Sequence, residues 1–228
     1  MFALKLVVQI VLRVIILFGV LLFLPAGTLH WPRLWWFIAV MVVVAPPSVL
    51  YAFRGNEGLF KERQKFPIQK GQPTSDKILV AALMLSMIAS LVFIPLDVFR
   101  FHLLPQPGTI VSFLGLFMYL AGWFIVMLAL KANPFAAPAV KLQTDRQQIL
   151  IDTGLYSVVR HPMYAGAILM TLGLPLWLGS YAAALVALLP SAVFAVRPVF
   201  EERFLDRELK GYREYEQRVR YRLVPLVW

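Results

Sequence analysis

Six apolar stretches, each bounded by polar or turn-forming residues, follow one another along the chain. Each is close to the length of about 20 apolar residues that an α-helix needs to cross a bilayer. They cover residues 6–24, 31–53, 78–95, 110–130, 162–178 and 181–196. The pattern predicts an all-α integral membrane protein with about six transmembrane helices.

The last two stretches are separated by Gly179 and Ser180 alone. Such a short connection predicts a tight antiparallel helical hairpin. Pro162 suits the first turn of the fifth helix, where its missing N–H is not needed. The outer ends of the hairpin, residues 160–164 and 197–202, are therefore expected at the same membrane face.

Composition supports a membrane protein and narrows the chemistry. The chain is 60% hydrophobic with a mean hydropathy of +0.74, above the roughly 45–50% apolar content of soluble domains. It has no cysteine, which excludes a disulfide, a thiolate metal site and a cysteine nucleophile. His161 has no second histidine or acid at ligand spacing, so no metal site is predicted.

The basic residues indicate orientation. The net charge is +10, and most lysines and arginines lie in residues 53–77, 131–161 and 197–228. With six spans these segments share one side, which the positive-inside rule places in the cytoplasm together with both termini. Anionic lipids are thus the expected partner and nucleic acid is not. Oligomeric state is left open.

The segment 201–222 alternates acidic and basic residues on a helix-forming background. This pattern predicts a C-terminal cytoplasmic helix lying at the membrane interface. A solvated charged helix that only orients the protein accounts for the charges equally well.

Ionisable residues gather at the cytoplasmic mouth of the predicted hairpin. Such groups at a membrane boundary favour a functional site, although arginine and tyrosine also anchor helices at the interface. Arg197 and Glu201 would share a helix face if the sixth helix continues past Pro198, whereas a kink at Pro198 would separate them.

Three sequence blocks in this region carry a resemblance. The blocks "DTGLYSVVRHPMYAG", "RPVFEERFL" and "GYREYEQRVRYRLVPLVW" resemble the isoprenylcysteine carboxyl methyltransferase family. That family belongs to a wider group of membrane methyltransferases that includes the phospholipid methyltransferases. The resemblance covers roughly residues 120–228, and the shortness of the chain suggests a prokaryotic member. The first two helices and the 53–77 loop match only in general character.

The resemblance implies an S-adenosylmethionine-dependent methyltransferase that acts on a lipophilic or membrane-borne acceptor. Residues 1–228 would form a single membrane methyltransferase domain, with N-terminal helices in 1–110 and a cofactor-binding core in 111–228. The cofactor would lie between the last helices and the C-terminal segment, reached from the cytosol. The acceptor would enter from the membrane, here the inner membrane of a prokaryote.

Site residues follow from the same resemblance and from the charges of the cofactor. Arg160 or a backbone N–H would hold the cofactor carboxylate, and Glu202 would hold its ammonium group. Catalytic roles would fall to Arg197, which could hold an acceptor carboxylate, and to Glu201, which could take a proton from an amine or thiol. The implied cofactor-binding residues are Gln148, Ile149, Leu150, Ile151, Tyr156, Arg160, His161, Pro162, Tyr164 and Glu202.

Two other functions stay open at this point. One is an NADPH-dependent membrane reductase of the related sterol-reductase type, and the other is a non-catalytic membrane scaffold. The acceptor also stays open between a carboxylate, a thiol and a lipid amine.

Overall fold

The chain folds into a bundle of long apolar helices, described by a computed structural model for residues 2–228, with side chains from residue 8 onward. Short 3₁₀ turns at Thr144–Arg146 and Gly154–Ser157 lie in the longest connection. The α-helices are α1 (Phe2–Phe18, continued by a π-helical turn, Gly19–Phe23, and by Leu24–Ala26), α2 (Pro32–Phe53), α3 (Glu57–Arg63), α4 (Thr74–Leu96, continued by a π-helical turn, Asp97–Phe101), α5 (Thr109–Ala132), α6 (Pro162–Leu178), α7 (Tyr181–Val186), α8 (Leu188–Glu208) and α9 (Tyr212–Arg218).

Five helical segments in the described chain are long and apolar enough to cross a membrane. They are Val8–Ala26, Pro32–Phe53, Thr74–Phe101, Thr109–Ala132 and Tyr181–Glu208. Helix α6 is apolar but has only 17 residues, about 25 Å at 1.5 Å per residue, against a hydrocarbon core of about 30 Å. The all-α membrane architecture is therefore confirmed, and the count of six spans stays a prediction.

Helices α5 and α6 approach each other through four glycines. A Cβ atom added to Gly115, Gly122, Gly166 or Gly173 would come within 3.0 Å of the opposite helix backbone. Small residues of this kind let membrane helices pack backbone to backbone. The contact fixes the start of α6 beside the end of α5, and the connection 133–161 covers that end of the bundle.

The predicted helical hairpin is confirmed. Gly179 turns the chain with a φ of 104°, and the Ser180 hydroxyl accepts a hydrogen bond from the backbone N–H of Ala183 at 2.8 Å. The second arm breaks at Ala187 between α7 and α8, because Pro190 has no N–H to donate to Val186. It then continues beyond the predicted end at residue 196, through Pro198 to Glu208.

The C-terminal segment differs from the single helix predicted over residues 201–222. Helix α8 ends at Glu208, and Gly211, with a φ of 86°, starts the separate helix α9. The chain then returns to α6, where Arg160 N–H donates to Tyr221 O at 2.9 Å and His161 N–H donates to Arg222 O at 2.8 Å. The tail thus closes over the start of α6, and its place at the membrane interface stays a prediction.

Replacing Gly122 with alanine is expected to destabilise the bundle, because the new methyl group would collide with the Gly166 carbonyl and Met170. Overpacking of this kind costs about 1–3 kcal/mol. Thermal unfolding in detergent should show a lower Tm for Gly122→Ala. Gly19→Ala is the matched control, since a Cβ there meets nothing within 4 Å. Equal Tm values for the two variants would contradict the tight α5–α6 contact.

Candidate active site

A polar cavity lies where α5 ends and α6 begins. It encloses about 780 Å³ of space, part of it open to solvent. Its wall is formed by the connection after α5, which includes residues 148–151, by the start of α6, and by α8 and α9. The predicted site residues along it are Gln148, Ile149, Leu150, Ile151, Tyr156, Arg160, His161, Tyr164 and Glu201.

Glu202 does not border this cavity, and its carboxylate is bound by two arginines and a histidine. Its Oε1 accepts from Arg160 Nε at 2.7 Å and lies 3.1 Å from His161 Nε2. Its Oε2 accepts from Arg222 Nε at 2.7 Å. Glu202 thus joins α8 to the start of α6 and to the tail, and its contact with the cofactor ammonium stays a prediction.

Arg160 is held on several sides. Its Nη1 donates to the carbonyls of Val219 at 2.8 Å and Arg220 at 3.1 Å, and its Nη2 lies 3.3 Å from Glu216 Oε1. Burial alone would lower the pKa of Arg160, but the hydrogen bond and charge of Glu202 raise it above the ordinary value. Arg160 is therefore a fixed cation that anchors the tail and also borders the cavity.

Glu201 has a different environment from its neighbour. Its Oε2 accepts a 2.6 Å hydrogen bond from the Tyr164 hydroxyl, and among the described residues it forms no ion pair. It is also the carboxylate in the wall of the polar cavity. Tyr164 is stacked with His161, the ring centroids lying 5.6 Å apart. Glu201 thus offers the cavity a carboxylate whose charge is not compensated.

Arg197 lies outside the cavity wall and is neutralised by a residue from another helix. Its Nε donates to Asp76 Oδ1 at 2.8 Å, and its Nη2 donates to Asp76 Oδ2 at 3.3 Å and to Pro138 O at 2.6 Å. Helix α8 does continue past Pro198, yet Arg197 pairs with Asp76 in place of Glu201. The structure thus gives Arg197 an ion pair with Asp76, and its contact with the acceptor stays a prediction.

Asp76 was missed at the sequence level. It is 2% exposed and also accepts a hydrogen bond from the Val140 N–H at 2.9 Å, so it joins α4, α8 and the connection after α5. It lies in the first turn of α4, two residues before the apolar stretch 78–95. No local pattern points to a partner 121 residues away.

Tyrosines from α9 complete the wall and were also not assigned from the sequence. Tyr212 and Tyr215 border the cavity with Tyr156, and burial raises the pKa of all three phenols. Tyr215 Oη donates to Tyr156 O at 2.7 Å, whereas the buried Tyr212 hydroxyl has no partner among the described residues. The third sequence block contains both α9 tyrosines, three positions apart, which is the spacing of one helix face.

Pro162 comes directly after the cavity residues Arg160 and His161 but does not border the polar cavity. It occupies the first position of α6 and is fully buried. Its role in the structure is to begin the helix directly after His161.

A second, apolar cavity lies deeper in the bundle. It holds about 1570 Å³ of space, part of it open, and its wall comes from α1, α2, α3, α4, α5 and α6. The wall reaches from Phe60 and Arg63 on α3 to Leu174 and Pro175 in α6. Arg63 in this wall contacts Ala136 and Met163 in the wall of the polar cavity, so the two cavities are neighbours.

The Glu202 cluster should dominate the stability of this end. In Glu202→Gln, Arg160 would stay buried with only the partly exposed Glu216 as a charge partner, and losing the partner of a buried charge destabilises by about 3–5 kcal/mol. Glu216→Gln is the matched control, because Glu216 is a partly exposed acid that pairs with the same arginine. An exposed ion pair of this kind contributes at most about 1 kcal/mol. In thermal unfolding, wild type and Glu216→Gln should have similar Tm values, well above the Tm of Glu202→Gln. A similar Tm for all three would contradict the central role of Glu202.

Comparison with known proteins assigns this region to a family. Residues 110–211 match the family model described as phospholipid methyltransferase, a stretch that includes Arg160, Tyr164, Glu201 and Glu202. No curated protein and no solved structure matches the chain. Residues 110–211 thus match a family of the isoprenylcysteine and phospholipid methyltransferase group, and over these residues the resemblance to that group drawn from the sequence is confirmed.

Proposed function

We propose that the protein transfers the methyl group of S-adenosylmethionine to a lipophilic or membrane-borne acceptor. The observation that carries the proposal is the polar cavity bordered by Glu201 and buried tyrosines, placed beside an apolar cavity within a methyltransferase domain. A charged cofactor and an apolar acceptor need adjoining sites of these two kinds.

The residues of the polar cavity fit the cofactor. S-adenosylmethionine would supply an electrophilic methyl group on a sulfonium cation, and it also carries an ammonium and a carboxylate. Glu201 can bind a cationic group directly, and the faces of Tyr156 and Tyr164 tolerate positive charge. The partnerless hydroxyl of Tyr212 is a polar group that a ligand would satisfy. Residues 149–151 offer apolar surface for the adenine ring.

The protein contributes mainly placement. Methyl transfer is an in-line displacement, so the rate depends on holding the reacting atoms close and aligned. Glu202, with Arg160 and Arg222, fixes the wall that would do this, so we assign Glu202 to positioning. Glu201 is the group in the wall that can accept a proton from an amine or thiol acceptor, and a carboxylate acceptor needs no such base.

The surroundings of the site are part of the proposal. We place the polar cavity and both termini in the cytoplasm, at the inner membrane of a prokaryotic cell, because the basic segments lie on that side. Anionic lipids would then contact these segments. The proposal includes three classes of acceptor: lipophilic carboxylates, thiols and lipid amines.

Calorimetry of the detergent-purified protein with S-adenosylmethionine tests the proposal first. Wild type should bind, and Glu201→Gln should bind roughly tenfold or more weakly, because a charge-assisted contact is lost. Glu208→Gln is the matched control, since it removes an exposed acid from the same helix outside the polar cavity. Formation of S-adenosylhomocysteine with added membrane lipid is the activity readout.

The alternative functions give opposite results in the same experiment. A protein that binds NADPH and not S-adenosylmethionine would be a reductase of the sterol-reductase type. Well-folded protein that binds neither cofactor would be a membrane scaffold, and the methyltransferase proposal would be lost in both cases.

A further inference from the structure

Arg63, the last residue of α3, lies in the wall between the two cavities. Its Nη1 donates to Ala136 O at 3.0 Å and contacts Met163 Sδ at 3.6 Å. Ala136 and Met163 border the polar cavity, whereas Arg63 itself borders the apolar one. The guanidinium is thus the charged group at the junction.

No acid compensates this charge. Among the described residues Arg63 forms no ion pair, and its contacts are with a carbonyl and a thioether. The adjacent Glu62 is bound by Lys65 and, at 2.7 Å, by Lys141. Burial lowers the pKa of Arg63, yet a guanidinium stays charged at neutral pH. Arg63 is partly buried, and a cation in such a position without a counterion is unfavourable, so its position points to a ligand.

The other arginines near the junction already have acids. Arg197 is bound by Asp76 and Arg160 by Glu202. Both guanidiniums therefore serve the fold, and Arg63 is the one still able to bind a further anion through a bidentate contact.

The apolar cavity determines what such an anion is attached to. Its wall is mostly aliphatic and aromatic. Among the side chains that the structure describes, its charged members are Arg13 and Arg63, and no acid borders it. This charge pattern complements an apolar chain that ends in an acid and excludes one that ends in an ammonium group.

We propose that Arg63 binds the acidic head group of an amphiphilic acceptor whose alkyl chain fills the apolar cavity. This inference deepens the proposed function. That the bound molecule is the methyl acceptor rests on the proposed function, whereas the existence of the binding site does not. The head group is a carboxylate or a phosphate, and its position at the junction would bring the acceptor to the edge of the polar cavity.

Equilibrium binding of radiolabelled palmitate tests this site. The full-length protein would be placed in phosphatidylcholine nanodiscs, with empty discs to subtract partitioning. Unlabelled hexadecyl phosphate and hexadecanol would compete, so that a phosphate, a carboxylate and a neutral head group are compared on the same chain length. We expect saturable binding of labelled palmitate. Hexadecanol should compete for it at least tenfold less well than unlabelled palmitate does. The ratio of hexadecyl phosphate to palmitate then distinguishes the two acids.

Variants assign the effect to Arg63. Arg63→Gln should weaken palmitate binding roughly tenfold or more, and Arg63→Lys should retain part of it. Lys61→Gln, an exposed cation on the same helix, should bind like wild type. S-adenosylmethionine binding should change by less than about twofold in Arg63→Gln, since that measurement reports the polar cavity and the fold.

Three results would overturn the inference: no saturable palmitate or hexadecyl phosphate binding, equal competition by hexadecanol, or unchanged binding by Arg63→Gln. Arg63-dependent palmitate binding in a protein that does not bind S-adenosylmethionine would keep this site and remove the methyltransferase proposal. The reverse pattern would keep the methyltransferase and remove the acidic acceptor.

Discussion

The hydrogen bonds of the Glu202 carboxylate hold the proposed active site together. This side chain is 4% exposed, and its two oxygens meet Arg160, His161 and Arg222. Because unpaired charges are strongly unfavourable in a region of low dielectric, the three segments that supply them have little freedom to separate. Helix α8, the start of α6 and the C-terminal tail therefore enclose the polar cavity as one unit.

The adjacent acids Glu201 and Glu202 have separate tasks because successive residues of an α-helix point about 100° apart. Glu202 faces the start of α6 and the tail, where it meets cations. Glu201 faces Tyr164 and the cavity, where the described residues offer it a neutral hydroxyl. A Glu-Glu pair in one helix thus supplies one acid for structure and leaves one available for a ligand.

Local signals explain what could be predicted from the sequence. Proline at 162 and glycine at 179 mark the ends of α6, so its bounds and the hairpin were predicted correctly. The family resemblance pointed to residues 148–151, Tyr156, Arg160, His161, Tyr164 and Glu201, and the structure places these residues along one cavity. Long-range pairing has no such signal: Arg197 meets Asp76 from α4, and Tyr212 and Tyr215 join the wall only because Gly211 divides the C-terminal segment. The role of Arg63 also needed the structure, since α3 lies in a segment where the pattern predicted only a basic loop.

The distribution of acids among the arginines separates structural charges from available ones. Near the two cavities Asp76 and Glu202 neutralise Arg197 and Arg160, and these pairs connect distant helices. Arg63 and Glu201 remain as a cation and an anion without charged partners in the described structure, one at the junction and one in the polar cavity. A cationic cofactor beside Glu201 and an acidic acceptor beside Arg63 would each supply the missing charge. Under the proposed function, electrostatic balance would therefore favour binding of both ligands together, with the reacting groups between them.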